Sequence, residues 1–448
     1  MNLVLLSGGS GKRLWPLSND VRSKQFIKIF KKPKNSIPVG EDSGEYESMV
    51  QRVYRQIRTV DPEARVTIAT SRSQVSAIHN QLGMDVGISV EPCRKDTFPA
   101  IALATAYLHD VQGVGAEEAV VVCPVDPYVD EDFFITLKKL WELAQEGTAN
   151  LMLIGIAPTY PSEKYGYILP ADKEQIAKVE SFREKPDAAT AQKYIDAGGL
   201  WNGGVFAYKL RYVLDRAHEL IDFSDYEDLY ARYDTLKKIS FDYAVVEHEK
   251  DIKVLRFAGQ WKDLGTWNTL TEAMTENTVG DVRLNETCSN VHAINELGVP
   301  ILIMGGKDLV VSASPEGILV SDKEQSSYIK PFVDAIDRQI MFAEKSWGNY
   351  RVMDVEDGSM TVKVTLNPGH AMNYHSHEKR DEVWTVISGS GRTIVDGMEQ
   401  PVPAGDVITM SAGCKHTVIA GEKGLRLIEV QLGTEITVSD KRKYEMPG

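Results

Sequence analysis

Short apolar runs alternate with longer helical patterns through roughly the first 270 residues of the chain. Leu3 to Leu6, Val66 to Ala69, Ala119 to Val122 and Leu151 to Ile154 read as strands buried on both faces. Between them, residues 98–109 and 134–146 carry the spacing of amphipathic helices. Alternation of this kind predicts an α/β domain, a mostly parallel sheet covered by helices, with ligands at the carboxyl ends of the strands. From Thr278 to Ser327 the pattern changes to brief β runs at 291–294, 301–304, 309–311 and 317–320, as in a small β-helix. Residues 328–346 read as a helical connector. After Trp347 nearly everything is β, with runs at 361–366, 383–387, 392–395, 407–410 and 425–430 between Gly and Pro turns. That spacing predicts a compact barrel or jelly roll. The expected division is therefore 1–277, 278–340 and 341–448.

Composition sharpens this picture in three places. A chain of 448 residues is too long for one ordinary core, and 43% hydrophobic with 25% charged residues is the balance of a globular protein. A net charge of -14 argues against a general nucleic-acid binder but leaves room for a nucleotide held by a few local cations. Cys93, Cys123, Cys288 and Cys414 lie far apart with no CxxC pair, which fits a reducing cytoplasm. The opening apolar run breaks at Ser7-Gly8-Gly9 without a basic flank, so it reads as a first strand, not a signal peptide. No run reaches membrane-spanning length.

The turn after that strand, Gly8-Gly9-Ser10-Gly11-Lys12-Arg13, would let backbone N–H groups approach phosphate oxygens. It matches neither the P-loop nor the dinucleotide template: Arg13 follows Lys12, and Leu14 stands where a third glycine belongs. The longer string does carry a specific likeness. Gly8 to Ser18, including Arg13-Leu14-Trp15-Pro16-Leu17-Ser18, followed by Ser23-Lys24-Gln25-Phe26, resembles the signature of mannose-1-phosphate guanylyltransferases. Glu91 to Ala100, Pro124-Val125-Asp126-Pro127, Tyr165-Gly166-Tyr167-Ile168, Glu184-Lys185-Pro186, Trp201 to Phe206 and Trp261 to Trp267 are similar to further segments of that family, in the same order. Lys95, Asp96, Phe98, Pro127 and Gly203 depart from its usual residues.

The resemblance implies a Rossmann-like nucleotidyltransferase domain in which Gly8, Gly9 and Gly11 cradle a triphosphate while Arg13 and Lys24 neutralise it. By the same likeness Glu91 and Asp96 lie near the nucleotide, and Tyr165, Gly166, Glu184 and Asn202 near the sugar. Lys185 would pair with the sugar phosphate, and Asp126 and Asp263 would hold Mg2+, which needs only one or two carboxylates besides phosphate oxygens and water. Taken singly, an Asp after a strand is usually a turn residue, and Glu184-Lys185 would pass for a surface ion pair. Phe241-Asp242-Tyr243-Ala244 is similar to the family too and reads as structural. The implied partners are GTP and mannose 1-phosphate. The implied reaction is in-line attack by the sugar phosphate on the α-phosphorus, which needs no general base because the nucleophile is already an anion.

Four of nine histidines fall between His370 and His416. The spacing of Gly369, His375, His377, Glu382 and Gly389, then Gly405 and His416, resembles the two cupin motifs. On a strand His375 and His377 share a face, so with Glu382 and His416 they could form an N3O site for a divalent transition metal, whether iron, manganese, zinc or nickel. His370 is not expected to be a ligand. The whole order resembles the bifunctional mannose-6-phosphate isomerase/mannose-1-phosphate guanylyltransferase family. However, His375, Lys379 and Val383 stand at positions where that family has Gln, His and His, and its acidic, Arg-bearing tail is not recognisable in residues 438–448. Isomerase chemistry is therefore left open. Two other readings stay beside the main one: the same transfer on another sugar 1-phosphate or NTP, and a non-catalytic sugar-nucleotide sensor. An exposed β domain is compatible with a homodimer; no nucleic-acid or membrane partner is expected.

Overall fold

The computed structural model describes residues 1–9, 12–34, 44–437 and 439–447. The chain divides into two compact units, one made of residues 1–10, 24–75 and 81–275, the other of 11–23, 76–80 and 276–448.

The first unit is built on a nine-stranded mixed sheet. In order across the sheet the strands are Gly87–Glu91, Arg65–Ser71, Asn2–Ser7, Ala119–Pro124, Leu200–Lys209, Leu151–Ile156, Ile252–Phe257, Ile176–Arg183 and Tyr167–Pro170. Asn2–Ser7 runs parallel to both its neighbours, and Leu151–Ile156 runs parallel to Ile252–Phe257. Leu200–Lys209 enters antiparallel between the two halves and closes them into one sheet. The core strands are apolar at almost every position because helices cover both faces. Residues 98–106 are buried without exception, so the helix Thr97–Ala106 is a core helix and not the amphipathic one its spacing suggested. Asp96 caps it, accepting the Thr97 N–H at 2.9 Å. The helix Glu131–Gln145 keeps the expected apolar stripe, with Phe133, Phe134, Leu137, Leu140 and Leu143 turned inward.

The second unit begins with short strands stacked in parallel. Thr278–Val279 lies against His292–Asn295, which lies against Leu309–Ser314; Val282–Leu284 lies against Ile301–Ile303. Gly317–Asp322 returns antiparallel and ends the stack. Residues 12–23 belong to this unit despite their place near the N-terminus. Arg22 makes a two-pronged pair with Glu296 at 2.8 and 2.9 Å, Ser314 Oγ donates to Pro16 O, and Asn19 donates to Glu316 at 2.8 Å. Trp15 lies against Gly317, where a Cβ would stand 2.5 Å from its ring.

The expected helical connector is helical only at Lys330–Asp334, after a single turn at Gln325–Tyr328. Phe342–Lys345 is instead a strand, paired with Gly348–Glu356 through a tight turn at Ser346-Trp347. Gly348, the first residue after the turn, has φ 144, and a Cβ there would collide with Thr365 O, so the position calls for glycine. The β domain that follows is organised by two long strands, Arg380–Val395 and His416–Gly433, paired antiparallel. The expected runs 383–387 and 392–395 are one strand that continues through register shifts between Val386 and Gly391. Trp384, Val386, Met410, Val418, Leu425 and Leu427 fill its core.

Arg22→Ala should destabilise the second unit by about 3 kcal/mol, because it strips the partner from Glu296 and removes a buried guanidinium. Urea unfolding monitored by tryptophan fluorescence measures this, and Arg22→Lys should recover less than half, since an ammonium cannot make the two-pronged pair.

Candidate active site and metal centre

The strands of the first unit end around a cavity of about 220 Å³. Asp126 enters it just beyond Ala119–Pro124, and Asp263 from the end of Trp261–Asp263. A two-stranded ribbon sets their approach: Trp261–Asp263 pairs antiparallel with Pro127–Val129, with Asp263 opposite Pro127. The Lys24 ammonium sits between the two carboxylates, 2.7 Å from Asp126 Oδ2 and 3.5 Å from Asp263 Oδ1. Burial works against the charge on Lys24, yet the two aspartates hold its pKa above the usual lysine value.

The far wall carries Glu184, Asn202 and Asp242. A Cβ at Gly166 would stand 2.5 Å from Glu184 Oε2, so a larger residue there would push that carboxylate aside. Asn202 Nδ2 donates to Asp242 Oδ1 at 2.7 Å while its Oδ1 accepts the Gly204 N–H at 3.1 Å, which fixes which end of the amide is which. Burial, and then the nearby Glu184 carboxylate, push Asp242 up to about 6. Tyr165 is wedged between Trp201 and Trp261, at ring separations of 5.0 and 5.4 Å. The indole N–H of Trp261 is buried with no partner among the described residues, which leaves it for a ligand to accept.

Of the residues expected at the site, Asp126, Tyr165, Gly166, Glu184, Asn202 and Asp263 line this one cavity, and Lys24 joins them through its two ion pairs. Lys185 is exposed and pairs with Glu184 at 2.6 Å. Its φ of 42 is a strained backbone, of the kind that collects at functional positions. Gly8 and Gly9 follow the first strand with open space where a Cβ would be, and Gly9 O accepts from Gln74 Nε2 at 3.4 Å. Glu91 ends its strand buried, accepting from Tyr233 Oη at 2.9 Å, and Asp96 is the exposed helix cap. Arg13 lies in a short turn that belongs to the second unit; Gly11 lies outside the described residues. Asp242, which reads as structural in the sequence, stands in the cavity wall. Sequence reasoning also misses the buried cluster of Ser7, Gln25 and Gln74 beneath the glycine turn, where Gln25 Nε2 donates to Ser7 Oγ at 2.9 Å.

In the β domain His375, His377, Glu382 and His416 converge, with one donor atom from each lying within 4.8 Å of the others, all four buried. His375 lies in the short strand His375–Ser376, directly opposite His416, and His377 follows just past the strand end. Each imidazole has its Nδ1 on a main-chain carbonyl: Asn373 O at 2.6 Å, Asp440 O at 2.5 Å and Cys414 O at 3.0 Å. A carbonyl only accepts, so each Nδ1 carries the proton and each Nε2 offers a lone pair. The residues fit a metal: His416 Nε2 is buried without a hydrogen-bond partner among the described residues, although it lies 3.2 Å from Glu382 Oε2. Trp384 underlies the cluster, its indole donating to Glu382 Oε2 at 3.2 Å. Arg380 adds a buried guanidinium 3.1 Å from His377 Nε2 and 3.3 Å from Glu382 Oε1. His370 is outside the group and bonds to Pro368 O.

An α/β sheet with paired carboxylates and a sugar-sized polar cavity at its strand ends, followed by a β barrel holding a three-histidine, one-glutamate cluster, defines a nucleotidyltransferase joined to a cupin. Residues 2–279 match the nucleotidyl transferase family and residues 362–431 the cupin domain. The chain belongs to the nucleotidyl transferase family and carries a C-terminal cupin. It is 28% identical to the mannose-1-phosphate guanylyltransferase of Escherichia coli (strain K12), over 98% of this chain and 97% of that protein. It is 27% identical to the xanthan biosynthesis protein XanB of Xanthomonas campestris pv. campestris (strain B100), over 99% of this chain and 97% of that one. Among solved structures it resembles one described as mannose-1-phosphate geranyltransferase from Thermus thermophilus, with TM-score 0.61 and 27% identity, over 74% of this chain and 98% of that chain. Among the described residues no helix is long and apolar enough to cross a membrane.

Asp242 makes a pH-dependent contribution to stability. A carboxyl whose pKa rises from 3.8 to about 6 on folding stabilises the fold fully while protonated, below the unfolded value. That stability is lost as the pH climbs through 6. Asp242→Asn should therefore melt close to wild type near pH 4 and gain on it between pH 4 and 6. The gain should level off above that at no more than about 3 kcal/mol; calorimetry across that range measures it.

Proposed function

We propose that the protein transfers a guanylyl group from GTP to mannose 1-phosphate, giving GDP-mannose and pyrophosphate in the cytoplasm. The observation that carries this reading is the convergence of Asp126, Asp263 and Lys24 beside a cavity walled by Glu184, Asn202 and Tyr165. Full-length similarity to a protein named for that reaction supports it. In this reading Glu184 and Asn202 hold sugar hydroxyls, Tyr165 and Gly166 shape the pocket, and Lys185 pairs with the sugar phosphate. Gly8, Gly9 and Gly11 present N–H groups to the triphosphate, Glu91 and Asp96 lie towards the nucleoside, and Arg13 with Lys24 offsets phosphate charge. Asp126 and Asp263 are hard oxygen donors suited to Mg2+, which when bound supplies charge neutralisation on the phosphates.

What these residues do in the reaction is align two anions that repel each other. The sugar phosphate oxygen attacks the α-phosphorus, the bond to the β-phosphate oxygen breaks, and pyrophosphate leaves. No proton has to be moved to start the step. Lys24 is placed to follow the charge, since its ammonium can exchange a carboxylate partner for a phosphate oxygen.

The cupin is proposed to bind a divalent transition metal through His375, His377, Glu382 and His416, a donor set suited to iron, manganese, nickel or zinc. Such a metal, when bound, would supply a Lewis acid for sugar oxygens, the chemistry that interconversion of mannose 6-phosphate and its ketose would need. A second reading of the first domain, with a different sugar phosphate or base, is favoured by Asp96, whose carboxylate is spent on its helix cap.

Pyrophosphate release with four NTPs crossed against mannose, glucose and fucose 1-phosphates tests the proposal. Release confined to GTP with mannose 1-phosphate is expected. Preference for another pair would keep the chemistry and change the substrate. Binding without release would replace the enzyme by a sensor. Asp126→Asn should lower kcat by at least on the order of 10²-fold with little change in fold.

A further inference from the structure

The three histidines of the cupin are not oriented in the same way. His375 and His416 use carbonyls two residues earlier in the chain, Asn373 O and Cys414 O, so their orientation is set locally. His377 uses Asp440 O, 63 residues away in sequence. That carbonyl is held in place by its own side chain, because the Asp440 carboxylate accepts the N–H of Glu378 at 2.9 Å and of Lys379 at 3.2 Å. Asp440 thus grips the turn after His377 from both its carbonyl and its carboxylate.

The residues that follow extend the grip. Arg442–Lys443 pairs antiparallel with His375–Ser376 as a short added strand. The Tyr444 N–H donates to Tyr374 O at 2.9 Å, and its hydroxyl is 3.1 Å from Ser376 Oγ. Arg380, which touches both His377 and Glu382, donates through its remaining nitrogen to Thr437 O at 2.9 Å. The Asp440 and Arg380 side chains are only 5% and 7% exposed, so these are not loose surface contacts.

We propose that the segment Ser439–Tyr444 sets the metal affinity of the cupin, with Asp440 as the positioning residue, and that docking of this segment and metal binding are one coupled equilibrium. The inference rests on the reading of the four residues as a metal centre. Its physical basis is the tautomer of His377. A neutral imidazole holds one proton; Asp440 O keeps it on Nδ1 and fixes the ring so that Nε2 is a ligand, whereas without that carbonyl the ring is held only from the Nε2 side, where Arg380 donates to the lone pair a metal would use. Loss of such an outer partner typically weakens a metal site by about 10- to 100-fold. By reciprocity, metal must strengthen docking of the segment by the same factor.

The test uses the full chain, stripped of metal and titrated with Mn2+ or Zn2+ against a competing chelator, in wild type, Asp440→Ala, Asp440→Asn and a form ending at Ile436. Wild type is expected to bind one equivalent. Asp440→Ala and the shortened form should bind about 10- to 100-fold more weakly. Asp440→Asn, which keeps one of the two acceptor oxygens, should fall between. Co2+ absorption should show an altered ligand field in the Ala variant. Hydrogen exchange of residues 439–444 in wild type should slow when metal is added, a readout that stands even if a variant fails to fold. Equal affinities across the series, or exchange in this segment indifferent to metal, would overturn the proposal. Wild type that binds no metal would instead remove the metal reading on which it rests.

Discussion

Two carboxylates, Asp126 and Asp263, are held within reach of one cation, and the first unit is arranged around that constraint. Like charges brought this close raise each other's energy, and the penalty grows as water is excluded. Here the Lys24 ammonium offsets the repulsion. The ribbon that pairs Pro127–Val129 with Trp261–Asp263 makes the approach rigid, joining a residue just after a central strand to one near the end of the domain. Because the ribbon can form only where those chain segments meet, the order of the nine strands and the position of the carboxylates are one requirement. Under the proposed function a second cation or a phosphate oxygen would replace one of the Lys24 ion pairs, without a new fold.

Chemistry-bearing residues are legible where local sequence and tertiary position coincide. Asp126 follows a strand directly, and a strand end is where α/β sheets bind ligands, so its place can be read. Asp242 reads as structural, because its role depends on the Asn202 amide 40 residues away and on burial beside Glu184. No periodicity carries that. The string from Gly8 to Ser18 resembles one family signature, yet within the second unit Trp15, Pro16 and the nearby Asn19 contact Gly317, Ser314 and Glu316. A contiguous motif can hold residues that serve different neighbours, with no mark in the chain where one duty ends.

The helical reading of residues 328–346 fails for a reason of scale. Five residues do form a helix, but Phe342–Lys345 gains more by joining a sheet edge and burying Ala343. Helix propensity is worth tenths of a kcal/mol per residue, about the size that one tertiary contact overrides. The cupin is more completely legible because His375 and His416 lie on paired strands, opposite one another. The exception is His377, whose orienting carbonyl belongs to a tail that carries no recognisable motif.

The two candidate cation sites of this chain obey different rules, and each rule follows from its surroundings. Asp126 and Asp263 are both more than a third exposed, in a cavity open enough for a substrate to bring its own oxygens. Such a place suits a hard ion that keeps part of its water. His375, His377, Glu382 and His416 are almost wholly buried, so an ion held there would exchange much of its water for nitrogen and carboxylate donors. Desolvation of that kind is costly unless the donors are already aimed, which is why the carbonyls on Nδ1 matter more there than any second partner does at Asp126. A mobile ion needs charge nearby, and a resident ion needs geometry. The strand-end carboxylates provide the first, and the long paired strands of the cupin provide the second.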